Sequence, residues 1–315
     1  MEFFPKLIKV VLLLTVFIIL PQLIVAEENN TIETSIHNKV SWTDLTFKGS
    51  KLFTTITVKM HLGTGELSPN DPAVKAGTYL PGCSETDSDS WLLTVKSSTK
   101  GIISQGQHDE YIWFKEPDGL PYKRIRVRNN DDPWIKSYCW EKKGVRRHEI
   151  QPGSSAENKQ PPINWTERNE HFYEHPTETA GHSSIFEPSL IFYILSILDP
   201  DMQQNPKEIC VFGRKQLHRI SIQKVKSSPI EVAYKTKTTS QKEETIKDQI
   251  TPLVYSIKTE TLAPENKEPE AFSLFGLNKG IRIYMDPEKQ IPVRISGTNN
   301  SIGKIDLRLQ NAGLN

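Results

Sequence analysis

Cysteine is scarce: 315 residues carry three, Cys83, Cys139 and Cys210. No two lie close enough for a metal-binding or redox pair, which removes zinc-ribbon and thioredoxin-like readings. One disulfide can form at most. The spacing does not say which pair makes it, and three separate buried thiols remain an equal alternative. There is no Gly-x-Ser-x-Gly, glycine-rich phosphate loop, internal repeat or heptad, so nucleophilic hydrolysis has nothing to rest on and no cofactor is implied. An excess of charge is missing too. Lys and Arg number 39 against 38 Asp and Glu, a net +1, which does not point to nucleic acid as a partner.

Long apolar runs are confined to the start. Lys6 and Lys9 precede the stretch Val10 to Leu20, and Pro21-Gln22-Leu23-Ile24-Val25-Ala26 follows, ending on a small residue suited to cleavage. This is a secretory signal pattern over residues 1–26. An uncleaved anchor is the alternative, but the run falls short of the roughly 20 residues a span needs. Cleavage leaves no transmembrane segment and a mature charge near zero. Residues 27–39 are polar and read as a flexible lead-in to one β-rich domain, 40–315.

Period two dominates that domain. Ile56, Val58, Met60 and Leu62 alternate with Thr55, Thr57, Lys59 and His61, the mark of a strand with two unlike faces. Trp91, Leu93 and Val95 repeat the pattern, and a run through Tyr111 to Phe114 precedes the turn signal Asp118-Gly119. Ile125 and Val127 then alternate with Arg124, Arg126 and Arg128. Strands over Ile135 to Glu141 and Val145 to Ile150 complete a meander of short antiparallel strands. Residues 151–184 read as a polar surface insert. Further strands fall in 208–212, 218–224, 230–237 and 253–258, with polar inserts at 238–248 and 259–270. A closing hairpin turns at Asp286-Pro287-Glu288-Lys289, and Ile305, Leu307 and Leu309 mark the last strand.

One segment breaks the pattern. Ile185 to Leu198 reads as a helix apolar on every side, which must be enclosed by other elements. Glu187 suits its N-terminus and Pro188 its first position, where a missing N–H costs nothing. The expected fold is therefore mainly β: a curved antiparallel sheet, or incomplete barrel, wrapped around one short core helix.

The order of these motifs resembles an exported bacterial family catalogued as domain of unknown function 3108. The resemblance rests on Val95 to Arg147, with Thr99-Lys100-Gly101-Ile102-Ile103, Gly119-Leu120-Pro121-Tyr122-Lys123-Arg124 and Gly144-Val145-Arg146-Arg147. It rests also on the helix Pro188 to Leu198 and on Gly280 to Leu309, with Ile283-Tyr284-Met285-Asp286, Ile291-Pro292-Val293-Arg294 and Gly303-Lys304-Ile305-Asp306-Leu307. It implies a periplasmic sheet curved around a helix, somewhat like the carrier fold of lipoprotein-localisation proteins. No catalytic residues carry over. The chain departs from the pattern at Phe53-Thr54-Thr55 and in its longer polar inserts.

His171-Phe172-Tyr173-Glu174-His175 matches the inverted zinc-peptidase pattern His-x-x-Glu-His. That chemistry needs both histidines on one helical face and a third ligand farther on. Pro176 follows at once and disfavours helical geometry at His175, so polar loop residues are the leading reading. A looser surface metal site would use His171, Glu174, His175 and His182. The row Arg124, Arg126 and Arg128 suits anionic groups, but alternation alone calls for polar residues on a solvated face. Asn29, Asn164 and Asn299 are glycosylation acceptors only in a eukaryote.

The function expected is that of a non-catalytic periplasmic protein of the cell envelope, binding a lipid, another apolar ligand or another envelope component in the concave face. Phe192, Tyr193, Trp91 and Trp113 are the candidate groove residues. A metal-dependent hydrolase and a purely structural or partner-binding domain are the alternatives.

Overall fold

The computed structural model describes residues 40–315 except 52, 68–70, 72, 75–79, 82, 84–89, 102–104, 131, 176–183, 199–205, 239–242 and 263–267. The signal segment 1–26, the lead-in 27–39 and His182 lie outside the described residues.

Alternation builds the first half of the chain into an antiparallel meander. Strands β1 (Trp42–Lys51), β2 (Thr54–Thr64), β3 (Trp91–Lys100), β4 (Gln105–Lys115), β5 (Leu120–Arg128), β6 (Trp134–Glu141), β7 (Gly144–Gln151) and β8 (Glu167–Glu174) each pair with the next. The second half returns to β1. β17 (Gly303–Leu314) pairs with β1, β16 (Pro292–Asn299) with β17, β15 (Lys279–Met285) with β16 and β14 (Leu253–Leu262) with β15. β11 (Leu217–Val225) pairs with β14, and β10 (Lys207–Phe212) with β11. The two-residue β9 (Ile185–Phe186) pairs with β10 in parallel. A hairpin of β12 (Ile230–Thr238) and β13 (Glu243–Ile250) joins the far end of β17 through a parallel pairing of β12. One large, open sheet results, mainly antiparallel, with β8 at one end and β9 at the other.

The sheet curls so that one face is interior. Val58, Met60, Leu93, Val95, Ile112 and Phe114 from β2 to β4 meet Ile281, Ile283, Ile295, Leu307 and Leu309 from β15 to β17 in one buried cluster. At its centre is the helix α1 (Ile191–Ile197), entered through a single 3-10 turn, Pro188–Leu190. Leu190, Ile191, Phe192, Tyr193, Ile194 and Leu195 are all buried, each contributing about 1.5–3 kcal/mol. Polar pins fix the orientation of α1: the indole of Trp42 donates to Ser196 Oγ at 2.9 Å, and Ser196 Oγ donates to the Phe192 carbonyl at 2.8 Å. Gly119, at φ +68°, lies so close to Tyr193 that a Cβ there would sit 3.1 Å from the ring.

Three expectations are corrected. The helix does not begin at Ile185: Ile185 and Phe186 extend to pair with Cys210 and Val211, and Pro188 keeps Glu187 extended. The expected insert 151–184 contains β8, opposite β7. The insert expected at 238–248 overlaps β13. Both strands were hidden because almost all of their side chains face water on both sides.

A second apolar cluster lies on the opposite, outer face of β3 to β7. There Leu92, Tyr111, Trp113, Ile125, Val127, Ile135 and Ile150 are covered by Leu67, Ala73, Leu80 and Trp165 from the connecting segments. Cys83 and Cys139 form a disulfide that ties one of these segments to β6, and Cys210 is free and buried.

Candidate functional site

The register of β4 to β8 lays side chains of one face in cross-strand rows, interior as far as β7. One row runs Ile112, Arg124, Tyr138, Arg147 and His171; the next runs Glu110, Arg126, Lys136, Glu149 and Asn169; a third holds His108, Arg128 and Trp134. The interior face that is apolar around α1 thus becomes charged and aromatic within two strands. The far end of the sheet folds over this region. Phe212 of β10 meets Tyr138, Trp140 and Tyr173 with ring centroids 6.1, 6.3 and 5.2 Å away, and Ile185, Cys210 and Leu217 complete that contact.

Arg124 holds the centre. Only 2% exposed, it reaches the Glu187 carboxylate through Nη1 at 3.2 Å and the Gly213 carbonyl through Nη2 at 2.9 Å. Its guanidinium lies 4.0 Å from the centroid of Tyr138 and 5.7 Å from that of Trp140. Glu187 accepts the Ser189 N–H at 2.7 Å with its other oxygen, so one side chain caps the turn into α1 and neutralises a buried arginine. Burial pushes the Glu187 carboxyl up to about 7; Arg124 opposes that and nearby Glu110 adds to it. Glu110 accepts from Arg126 Nε at 2.9 Å. Burial raises Glu110, but Arg126 and Arg124 outweigh it and the net direction is down. The Tyr138 hydroxyl is likewise raised by burial, and Arg124, Arg126, Arg147 and Lys136 together bring it below its ordinary value. Glu149 takes Lys136 at 2.7 Å and Arg147 at 3.2 Å.

These pairs leave donors over. Arg124 Nε, Arg128 Nε, Arg147 Nε, Trp140 Nε1 and the His108 ring nitrogen Nδ1 are all buried on this one face without a hydrogen-bond partner. Buried polar atoms are nearly always partnered, so five orphans on a single surface call for an explanation. Chemically, the face can receive hydrogen-bond acceptors and negative charge.

The row Arg124, Arg126 and Arg128 therefore corrects the expectation of a solvated sheet face: Arg124 is buried in an ion pair, and Arg126 and Arg128 are partly covered. The expected groove does not assemble. Phe192 and Tyr193 are 0% and 2% exposed; Phe192 stacks on Phe275 at 5.4 Å, and Tyr193 packs edge-on against Phe114 at 4.8 Å. Trp91 shares the interior face with its pairing partner Phe114, but Trp113, one residue out of phase, belongs to the outer face, where its indole donates to the Gly65 carbonyl at 3.0 Å. The four thus line no common mouth.

His171 and Glu174 stand on β8, opposite Arg147 and Gly144, and the His175 N–H donates to the Lys143 carbonyl at 3.0 Å. An extended strand cannot give the helical His-x-x-Glu-His geometry, which corrects that candidate. Among the described residues no three His, Cys, Asp or Glu side chains gather as metal ligands. A separate concavity of about 570 Å³ lies between β12 and β16–β17, lined by Tyr234, Arg294, Arg308 and Gln310; both of its arginines bind Asp306.

Sequence reasoning missed Glu187 as the partner of Arg124. A carboxylate immediately before Pro188 signalled a cap, and nothing in the spacing linked it to a residue 63 positions away.

No protein-family model matches the chain, and no curated protein matches it. Among solved structures it is similar to the crystal structure of a beta-barrel-like protein of Domain of Unknown Function DUF1849 from Brucella abortus, with a TM-score of 0.44 and 8% identity over 88% of this chain and 99% of that one.

Proposed function

We propose that this chain is an exported, non-catalytic binding module whose ligand lies against the interior face of β4 to β7. The cluster of five unpartnered buried donor atoms carries the reading: a ligand that supplies acceptors there removes a desolvation cost of about 1–3 kcal/mol per orphaned group. Cations and aromatic rings dominate this face, and its carboxylates Glu110 and Glu149 are engaged in ion pairs, an arrangement suited to holding a molecule. A lipid chain lodged beside α1 finds no support, because Phe192 and Tyr193 are packed over by Phe275 and Phe114. The recognised part of the ligand is polar.

Export, with residence in the periplasm or an equivalent envelope compartment, is supported by the apolar leader and by the Cys83–Cys139 disulfide, since such bonds persist outside the reducing cytosol. Kinship with the domain 3108 family belongs to the same proposal and adds no site residue to it.

Native mass spectrometry of the full chain, expressed with its leader and purified from the envelope fraction, is the test. The expected result is a mature chain beginning near Glu27 that carries a small molecule, released on denaturation. An uncut cytoplasmic chain sinks the export half of the proposal. Equal native and denatured masses, with no thermal stabilisation by an envelope extract, sink the binding half.

A further inference from the structure

The partly open end of this face has a composition of its own. His108, Arg128 and Trp134 are cross-strand neighbours on β4, β5 and β6, and Arg126 and Lys136 stand in the adjoining row. Trp134 is surrounded: the His108 ring lies 5.9 Å away, the Arg126 guanidinium 5.5 Å and the Lys136 ammonium 4.4 Å. Arg214, exposed in the turn after β10, is close enough for its charge to act on His108.

Three carboxylates face these four cations. Glu110 is taken by Arg126 and Glu149 by Lys136. Asp132 meets Arg128 Nη1 at 3.3 Å, but its side chain is 80% exposed, where such a pair is worth at most about 1 kcal/mol. Among the described residues no ion pair holds Arg214. Arg128 Nε and His108 Nδ1 are buried without partners. The spot has two unused hydrogen-bonding atoms, a surplus of positive charge and a route to solvent past Arg128, which is 30% exposed.

Resting on the binding reading above, we infer that His108, Arg128, Lys136 and Arg214 form a site for a phosphate-type oxyanion, either free or as a lipid headgroup. A tetrahedral oxyanion offers several acceptor oxygens at once, which matches polar groups gathered from three strands with a further charge nearby, and guanidinium groups suit it in geometry as well as charge. Burial, followed by the repulsion of Arg126, Arg128 and Arg214 against the pull of Glu110, lowers the His108 imidazole to about 4. The ring is neutral at pH 7, and its Nδ1 has no partner among the described residues. An anion seated beside it offsets the repulsion of the three arginines.

The test follows the His108 imidazole by NMR while inorganic phosphate is added to the full-length protein. Vesicles of phosphatidylglycerol or phosphatidylcholine are examined in parallel by flotation. Phosphate is expected to raise the apparent pKa of His108 by about one unit or more. The double variant Arg128→Gln/Arg214→Gln is expected to weaken phosphate binding about tenfold or more, since both guanidinium charges are lost. Its phosphate-free melting temperature should match wild type. Arg214→Gln alone, an exposed change that leaves folding intact, should give part of that loss, and Arg308→Gln on β17 none.

Phosphate response identifies a free anion. Flotation with phosphatidylglycerol but not phosphatidylcholine, lost in the double variant, identifies a headgroup. No response to either probe overturns the oxyanion site, as does a response that the double variant leaves unchanged. A co-purified small molecule in a protein that ignores both probes would overturn the oxyanion class alone and leave the binding reading standing.

Discussion

One continuous interior face runs from β2 to β7, and its two ends are built on opposite principles. Around α1, side chains from β2 to β4 and β15 to β17 fill the space with apolar atoms, and the Trp42 indole is paired with Ser196. From β4 to β7 the same face carries Arg124, Arg126, Lys136, Arg147, Glu110 and Glu149, and polar atoms are left without partners. The first end is settled by the chain itself. The second is satisfied only in part, and this contrast is what locates binding there.

The strongest way to break the comparison is through the helix. Phe192→Ala removes a fully buried ring stacked on Phe275, and urea unfolding should show a loss of about 4 kcal/mol. If the loss were no greater than for a surface change, the apolar end would not be the stabilising one. Next comes the junction between the ends. Glu187→Ala strips Arg124 of its charge partner and the Pro188 turn of its cap, an expected cost of about 3 kcal/mol, while Glu187→Gln keeps acceptors for Arg124 and Ser189 and should cost distinctly less.

The same residue predicts a pH dependence opposite to that of most carboxylates. Its folded value of about 7 lies above the ordinary 4.5, so between those values the native state holds more protons than the unfolded chain. Stability from this group is complete below about 4.5 and is lost as pH rises through about 7. Urea midpoints measured across that window should show the decline in wild type and a flatter profile in Glu187→Gln. Identical profiles would remove Glu187 as a titrating group.

The smallest effect sets the scale for exposed charge. The His61 imidazole is raised chiefly by its hydrogen bond to Asp44 at 2.9 Å, both side chains being more than half exposed. Its contribution is present below 6.5 and fades as pH rises through the higher folded value. Asp44→Asn should cost at most about 1 kcal/mol near pH 5.5 and less at pH 9, measured by thermal melting. A larger cost would mean that surface pairs rival the buried network.

Much of the fold was legible because alternation reports parity. Ile125 and Val127 had to face one way and Arg124, Arg126 and Arg128 the other, and the closing hairpin around Asp286 to Lys289 was readable for the same reason. Parity does not say what lies opposite. Whether Arg124 meets water or Phe212 and Gly213 depends on the curl of the whole sheet, which no local window contains, and the partnership of Cys83 with Cys139 across 56 positions is equally non-local. Parity also corrects Trp113: counted from Trp91 through the register of β3 and β4, it falls on the outer face. β8 and β13 escaped notice because a strand wet on both sides has no alternation to show.

That doubly wet β8 has a bearing on how the molecule lives among its copies. Its outer edge pairs with no strand among the described residues, and Glu167, Arg168, Glu170 and Glu174 stud it with charge. A sheet left unclosed invites stacking with its neighbours into fibrils, and ionic residues along the free margin make such zippering costly by forcing like charges together in a dry seam. The barrel can stay ajar without becoming adhesive.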